Sequence, residues 1–262
     1  MNGSLSDSWH YREAVYNLAM LRLRIRYSNS VLGFLWTLGN PLFFMIIFSF
    51  VFTVLFSNGI ENYPVFILAA MLPWNFFNAA VLGATSSVSG AREMLNKLSF
   101  PREILPFSYV LAEFINFLMA QLTILVLLTI FGFGTGLPLL TLPLLMAIVT
   151  VFSLGVGLLL ATINVRLRDT QEFLGVFLYG LFFLTPIVYS LDRVAADHRI
   201  FSTLVTVFNP MAGIVTLFRQ VIYLHQWPDW SLVGLTSLIS ILIFLLGFFV
   251  FRSRSRYFAE EL

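Results

Sequence analysis

One carboxylate, Glu113, interrupts an otherwise uncharged run over residues 104–165. At a helical rise of about 1.5 Å per residue it sits roughly 15 Å beyond Glu103. A carboxylate that deep in an apolar run is costly and tends to serve a function. The local alternative is a pairing with Asn116, one turn further on. A second concentration is basic, with Arg12, Arg22, Arg24 and Arg26 close together. On an amphipathic helix such arginines either reach lipid phosphates or set the topology of the spans after it. A third is the stretch GAREMLNKLSFPREILP, which gathers Arg92, Glu93, Lys97, Arg102 and Glu103. A short helix from Arg92 is expected to end before Pro101, since the residue preceding proline is pushed out of the helical region. On charge alone that helix is either a solvated turn or a docking surface.

No catalytic constellation accompanies these groups. His10, His198 and His225 are scattered, there is no cysteine, and no metal or thiolate site can be assembled. The only lysine, Lys97, follows Asn96, whereas a phosphate-cradling nucleotide loop needs Gly-Lys followed by Ser or Thr. The expectation is a chain without a cofactor of its own, with ATP and Mg held by another subunit. A net charge of +2 gives no reason to expect nucleic acid.

The elements that must carry these residues follow from composition. Of 262 residues, 59% are hydrophobic and 11% charged, against about 25% charged in a soluble domain. With a mean hydropathy of +0.89, the chain lacks polar surface for water on all sides, and its solvent is lipid. A crossing helix needs about 20 apolar residues. Apolar runs at 33–56, 63–89, 104–131, 139–163, 173–191 and 231–251, uncharged apart from Glu113, predict six spans in a single transmembrane domain covering 1–262. GFGTGLP separates the third from the fourth. The fold class expected is an all-α integral membrane protein.

Tyr11, Ala14, Val15, Leu18, Leu21 and Ile25 recur at three and four residues, the stripe of an amphipathic helix over 8–27 lying in the membrane interface. Between spans five and six, 192–230 contains an apolar stretch broken at Asn209-Pro210. Two short re-entrant helices are expected there, tolerated at membrane depth only against protein. A seventh span is the alternative. Trp36, Trp74, Trp227 and Trp230 fall near span ends, as an aromatic belt does.

Basic residues collect on the cytoplasmic side. With the N-terminus inside, that side holds Arg12, Arg22, Arg24, Arg26, Arg92, Lys97, Arg102, Arg166, Arg168, Arg252, Arg254 and Arg256, twelve of fifteen. Arg193, Arg199 and Arg219 remain outside. Both termini are expected in the cytoplasm, and the charged start is unlike a cleavable signal peptide.

Several segments are similar to known ones: RYSNSVLGFLWTLGNPLFFMIIFSFVF (26–52), LPWNFFNAA (72–80), NKLSFPREILP (96–106), NVRLRDTQEFLG (164–175), TPIVYS (185–190) and FNP (208–210). In order and spacing the chain resembles the permease subunit of ABC-2 type transporters that export O-antigen, teichoic-acid and capsule chains. The resemblance implies a homodimer in the bacterial cytoplasmic (inner) membrane, bound to two ATPase subunits. It implies as cargo a glycan on undecaprenyl diphosphate, and makes the loop 90–103 a coupling element docking on the ATPase through Arg92, Glu93, Leu95, Lys97 and Phe100. It makes Arg24, Arg26, Tyr27 and Ser30 candidates for the diphosphate at the substrate entrance, because guanidinium groups suit that anion. Two other functions remain open: a small-molecule or drug exporter of the same superfamily, and a membrane enzyme acting on polyprenyl phosphates. Against the enzyme stands the lack of clustered carboxylates or histidines on a cytoplasmic loop.

Overall fold

The computed structural model describes residues 12–28, 30, 33, 35–55, 59–92, 100–133, 136–167, 169–191 and 209–258. Among them the secondary structure is helical, with no strand. Helix α1 covers Arg12–Tyr27, and α2 covers Leu35–Ser49 and runs into a π-helical stretch, Phe50–Leu55. Then come α3 (Tyr63–Ser86), α4 (Ile104–Ile130), α5 (Leu142–Arg166, after a 3-10 turn at Leu137–Thr141), α6 (Thr170–Leu184), α7 (Pro210–Ile222) and α8 (Trp230–Arg254).

The boundaries have local causes. After α4 the chain turns at Gly132, whose φ of +76° is a left-handed conformation that glycine adopts freely. Helix α6 stops at Leu184 rather than at 191, because Pro186 follows and Thr185 is forced extended, with ψ 136°. The Asn209-Pro210 pair starts α7: the Asn209 side chain accepts a hydrogen bond from the Met211 amide, and Pro210 sits where no amide donor is needed. Asp229 caps α8 by accepting from Ser231 and Leu232. The first of the two expected re-entrant helices, at 200–208, lies outside the described residues.

Among the described residues four helices are long and apolar enough to cross a membrane: Tyr63–Ser86, Ile104–Ile130, Leu137–Arg166 and Trp230–Tyr257. The first and fifth expected spans take the form of shorter apolar helices, Pro41–Val54 and Thr170–Leu184. A 15-residue helix such as α6 is about 22 Å long, short of a hydrocarbon core of about 30 Å.

Helix α3 is the central post. Ala70, Ala80 and Ala84 on it are fully buried, and it packs against α2, α4, α5, α6 and α7. Small residues set the closest approaches, as expected where lipid provides no hydrophobic drive between helices. A methyl on Gly157 of α5 would meet the Ala84 methyl at 2.6 Å. The most extensive pairing joins α5 to α8. By contrast α2 and α6 turn large apolar side chains outward, among them Trp36, Phe43 and Ile46 on α2 and Phe173, Val176 and Phe177 on α6.

Candidate functional site

The last turns of α1 lie along the first half of α4. Arg22 donates to Ser108 Oγ at 3.4 Å and stacks over the Tyr109 ring at 3.3 Å. One turn further, Arg26 meets Glu113, and Tyr27 Oη donates to Asn116 Oδ1 at 2.8 Å. The partners advance together, so the two helices run in the same direction here. The apolar stripe read from the sequence points away from this contact, with Leu21 and Ile25 well exposed. The packed face is instead Ala19, fully buried, with Arg22 and Arg26. Arg22 and Arg26 thus find polar partners on α4, an arrangement the sequence did not anticipate. Arg24 is exposed.

The Arg26–Glu113 contact is a fork. Arg26 Nη1 donates to Glu113 Oε2 at 2.9 Å and Nη2 donates to Oε1, the bidentate geometry that gives guanidinium–carboxylate pairs their strength. The Glu113 side chain is 7% exposed and that of Arg26 50%, so the carboxylate forms the back of the pair and the guanidinium faces outward. Hydrogen bonding to Glu113 holds the Arg26 guanidinium above its ordinary pKa, so it stays charged. The expected local partner of Glu113 is present as well, with Asn116 Nδ2 donating to Oε2 at a long 3.4 Å. The stronger partner, Arg26, is 87 residues away in sequence.

A cavity of about 450 Å³ opens beside this pair. Its walls include Arg26, Tyr27, Ser30, Trp36, Asn75, Asn78, Glu113 and Asn116. Ser30 and Gly33, between α1 and α2, line it as well: Gly33 has φ +47°, and its amide donates to Ser30 Oγ at 3.0 Å. Three of the four entrance candidates, Arg26, Tyr27 and Ser30, thus meet the two intramembrane polar residues, Glu113 and Asn116, in one place. A second cavity of about 280 Å³ shares Asn75 and Asn78 with the first. The rest of its wall is apolar and largely aromatic, with Phe44, Phe48, Trp74, Tyr179, Phe182 and Phe183 beside Met71, Leu82 and Leu178. Asn78 Oδ1 is buried and has no hydrogen-bond partner among the described residues. The sequence signal for this pair was two asparagines three residues apart in an otherwise apolar span.

Of the loop expected to couple to an ATPase, Arg92 is exposed at the end of the described segment and Phe100 packs against the core. Glu93, Leu95 and Lys97 lie outside the described residues. At the opposite end of α3, Arg219 is buried without a carboxylate partner among the described residues. It donates to the carbonyls of Phe66 (3.3 Å), Tyr189 (3.1 Å) and Ile187 and stacks on the Phe66 ring. Tyr63 Oη donates to the carbonyl between them, Val188, at 2.7 Å. The TPIVYS turn is held by its backbone, from α3 and α7 together. Among the described residues no group of three potential metal ligands occurs.

Residues 13–223 match the family described as ABC-2 type transporter. The chain belongs to that family. Among its relatives, the O-antigen export system permease protein RfbA of Myxococcus xanthus is 32% identical over 98% of both chains. A protein of the same name from Klebsiella pneumoniae is 29% identical over 92% of this chain and 91% of its own. The polysialic acid transport protein KpsM of Escherichia coli is 19% identical over 90% of this chain and 92% of its own. Membership of the ABC-2 family makes the chain a transporter permease subunit and not an enzyme. ABC-2 permeases of this kind work with ATPase subunits.

Proposed function

We propose that this ABC-2 subunit exports a polysaccharide carried on a polyprenyl diphosphate across the bacterial cytoplasmic membrane, driven by two ATPase subunits. Its relatives named for O-antigen and polysialic acid support the cargo class. One structural observation carries the reading furthest: a half-exposed guanidinium, Arg26, and two hydroxyls, Tyr27 and Ser30, line one cavity in an otherwise apolar protein. Such a cavity matches a lipid whose head is a diphosphate and whose tail is hydrocarbon. Asn75 and Asn78 then lead to the aromatic cavity, where ring faces and amides suit sugar rings and hydroxyls. In this reading the diphosphate enters at Arg26, with Arg24 attracting it from the surface, and the glycan follows along α3.

The subunit works as a homodimer, with both termini and the 90–103 loop in the cytoplasm. Two copies meeting through α2 and α6 would cover the apolar side chains those helices turn outward. The ATPase docks on the loop that begins at Arg92. Each coupling stroke of nucleotide hydrolysis reaches the cavity through the α3–α4 connection, because α3 and α4 carry its walls.

The reading is tested by reconstituting the subunit with its ATPase in proteoliposomes and adding polyprenyl-diphosphate-linked oligosaccharide. ATP hydrolysis should rise with that lipid and stay flat with the same oligosaccharide free in solution. A stimulation by unrelated apolar drugs, with none by the lipid-linked glycan, would instead identify a small-molecule exporter.

A further inference from the structure

Arg26 presents two parallel N–H donors, and Glu113 accepts both. That is the arrangement a phosphate group would take on the same guanidinium. In the structure the seat of an incoming anion is therefore filled by the protein's own carboxylate. A purely structural ion pair would sit with both partners shielded. Here only the carboxylate is shielded, at 7% exposure against 50% for the arginine side chain. The cavity of about 450 Å³ reaches both members, so an anion can approach the guanidinium while the pair is still closed. When Arg26 turns to it, Glu113 keeps a donor, because Asn116 Nδ2 stands 3.4 Å from Oε2 and is itself steadied through Tyr27.

We infer that Glu113 is an internal competitor for the substrate's diphosphate, setting the affinity an anionic lipid must reach before Arg26 is released to it. This rests on the export reading above and adds its specificity element. A site that must open before it binds has its affinity lowered by the fraction of time it is open. The ordinary anionic lipids of a bilayer offer one phosphodiester charge. A diphosphate head brings more charge and more acceptor oxygens to the same fork, and displaces the carboxylate where they do not. Glu113 thereby keeps the entrance closed against the abundant lipids that surround it.

The test uses the purified full-length subunit in nanodiscs of zwitterionic lipid, with polyprenyl diphosphate as the probe and inorganic pyrophosphate as a second arm. Glu113→Gln removes the competing charge and keeps the side-chain length. It should tighten polyprenyl diphosphate binding about tenfold or more, since the charge-assisted fork it removes is worth at least one decade of affinity. Glu113→Asp keeps the charge at a shorter reach and should give a smaller gain, which guards against a Gln variant that fails to fold. A gain with both probes supports competition for the diphosphate itself. A gain with the lipid alone supports competition at a seat reached only from the membrane. Unchanged or weaker binding in folded Glu113→Gln and Glu113→Asp overturns the inference, because Glu113 would then position Arg26 for the ligand. Wild-type binding with no gain in the variants defeats the competitor alone; no binding by any form defeats the export reading with it.

Discussion

Gly247 of α8 faces Gly155 of α5 so closely that a methyl on Gly247 would lie 2.4 Å from the Gly155 carbonyl oxygen. From the other side, a methyl on Gly155 would lie 2.6 Å from the Phe244 backbone. Backbone meets backbone here, so no side chain can swing aside. Gly247→Ala should force α5 and α8 apart and cost about 1–3 kcal/mol, the usual penalty of overpacking. Gly234→Ala, on the same helix with nothing within 4 Å, should be neutral or mildly stabilising, as alanine favours helix. Thermal unfolding in detergent compares the two.

The Arg26–Glu113 pair changes how the entrance is to be mutated. Arg26→Gln alone leaves a nearly buried carboxylate with only the long Asn116 contact. It should lose more stability than the double variant Arg26→Gln, Glu113→Gln, in which neither charge remains. Because Arg26 is half exposed, the coupling expected from a double-mutant cycle is about 1–3 kcal/mol, below the figure for a fully buried pair. Additive effects in the unfolding assay would mean that the fork contributes no net coupling.

Arg219 holds three carbonyls from two elements, Phe66 on α3 and Ile187 and Tyr189 in the TPIVYS turn. Lysine has one ammonium where arginine has a planar fork, so Arg219→Lys should leave at least one carbonyl unpaired. A cost of about 1–3 kcal/mol is expected for each buried group stranded. A cysteine at Tyr189 should then label faster with a thiol reagent than in the otherwise unaltered protein. Equal labelling rates and an unchanged melting point would show that the turn is held by other contacts.

Much of the helical order was legible in the sequence, and the reasons for the rest are physical. The long spans around α3, α4, α5 and α8 follow from uninterrupted apolar runs, and the break after α4 from its glycines. The ends of the shorter helices do not: α6 stops for Pro186 while its apolar run continues to Leu191. Arg26, Glu113 and Asn116 were visible as costly or clustered groups, Tyr27 and Ser30 only through the resemblance, and Asn75 and Asn78 were not singled out; the pairing of Arg26 with Glu113 was not visible either. Nothing in a sequence says that Arg26 and Glu113 meet, because the contact depends on α1 lying along α4. The sequence reads an apolar stripe on α1, of which Leu21 and Ile25 are well exposed. Its direction could not be read, since Leu21 and Ile25 satisfy a lipid neighbour as well as a protein one. Arg219 stood out only as one of three basic residues left outside, and its role was not legible because its partners are backbone carbonyls.

Charge reversal at Arg92 and Glu93, or Leu95→Pro, should lower ATPase stimulation while membrane insertion persists. Proline within a short helix costs about 3 kcal/mol, enough to spoil a docking surface. Full stimulation in a reconstituted complex carrying all three changes would reduce the loop to a turn.

The most direct measurement on the account is photo-crosslinking of a polyprenyl-diphosphate-linked oligosaccharide in proteoliposomes. A photoreactive residue replaces Ser30 in one variant and Ile241, an exposed position on α8, in another. Ser30 lines the cavity with Arg26 and Tyr27, so the account predicts a saturable crosslink there that excess unlabelled lipid-linked glycan abolishes. Position 241 should give only the weak, unsaturable labelling of a bulk lipid contact. Equal, non-competable labelling at both positions would contradict an entrance at the α1–α4 cavity.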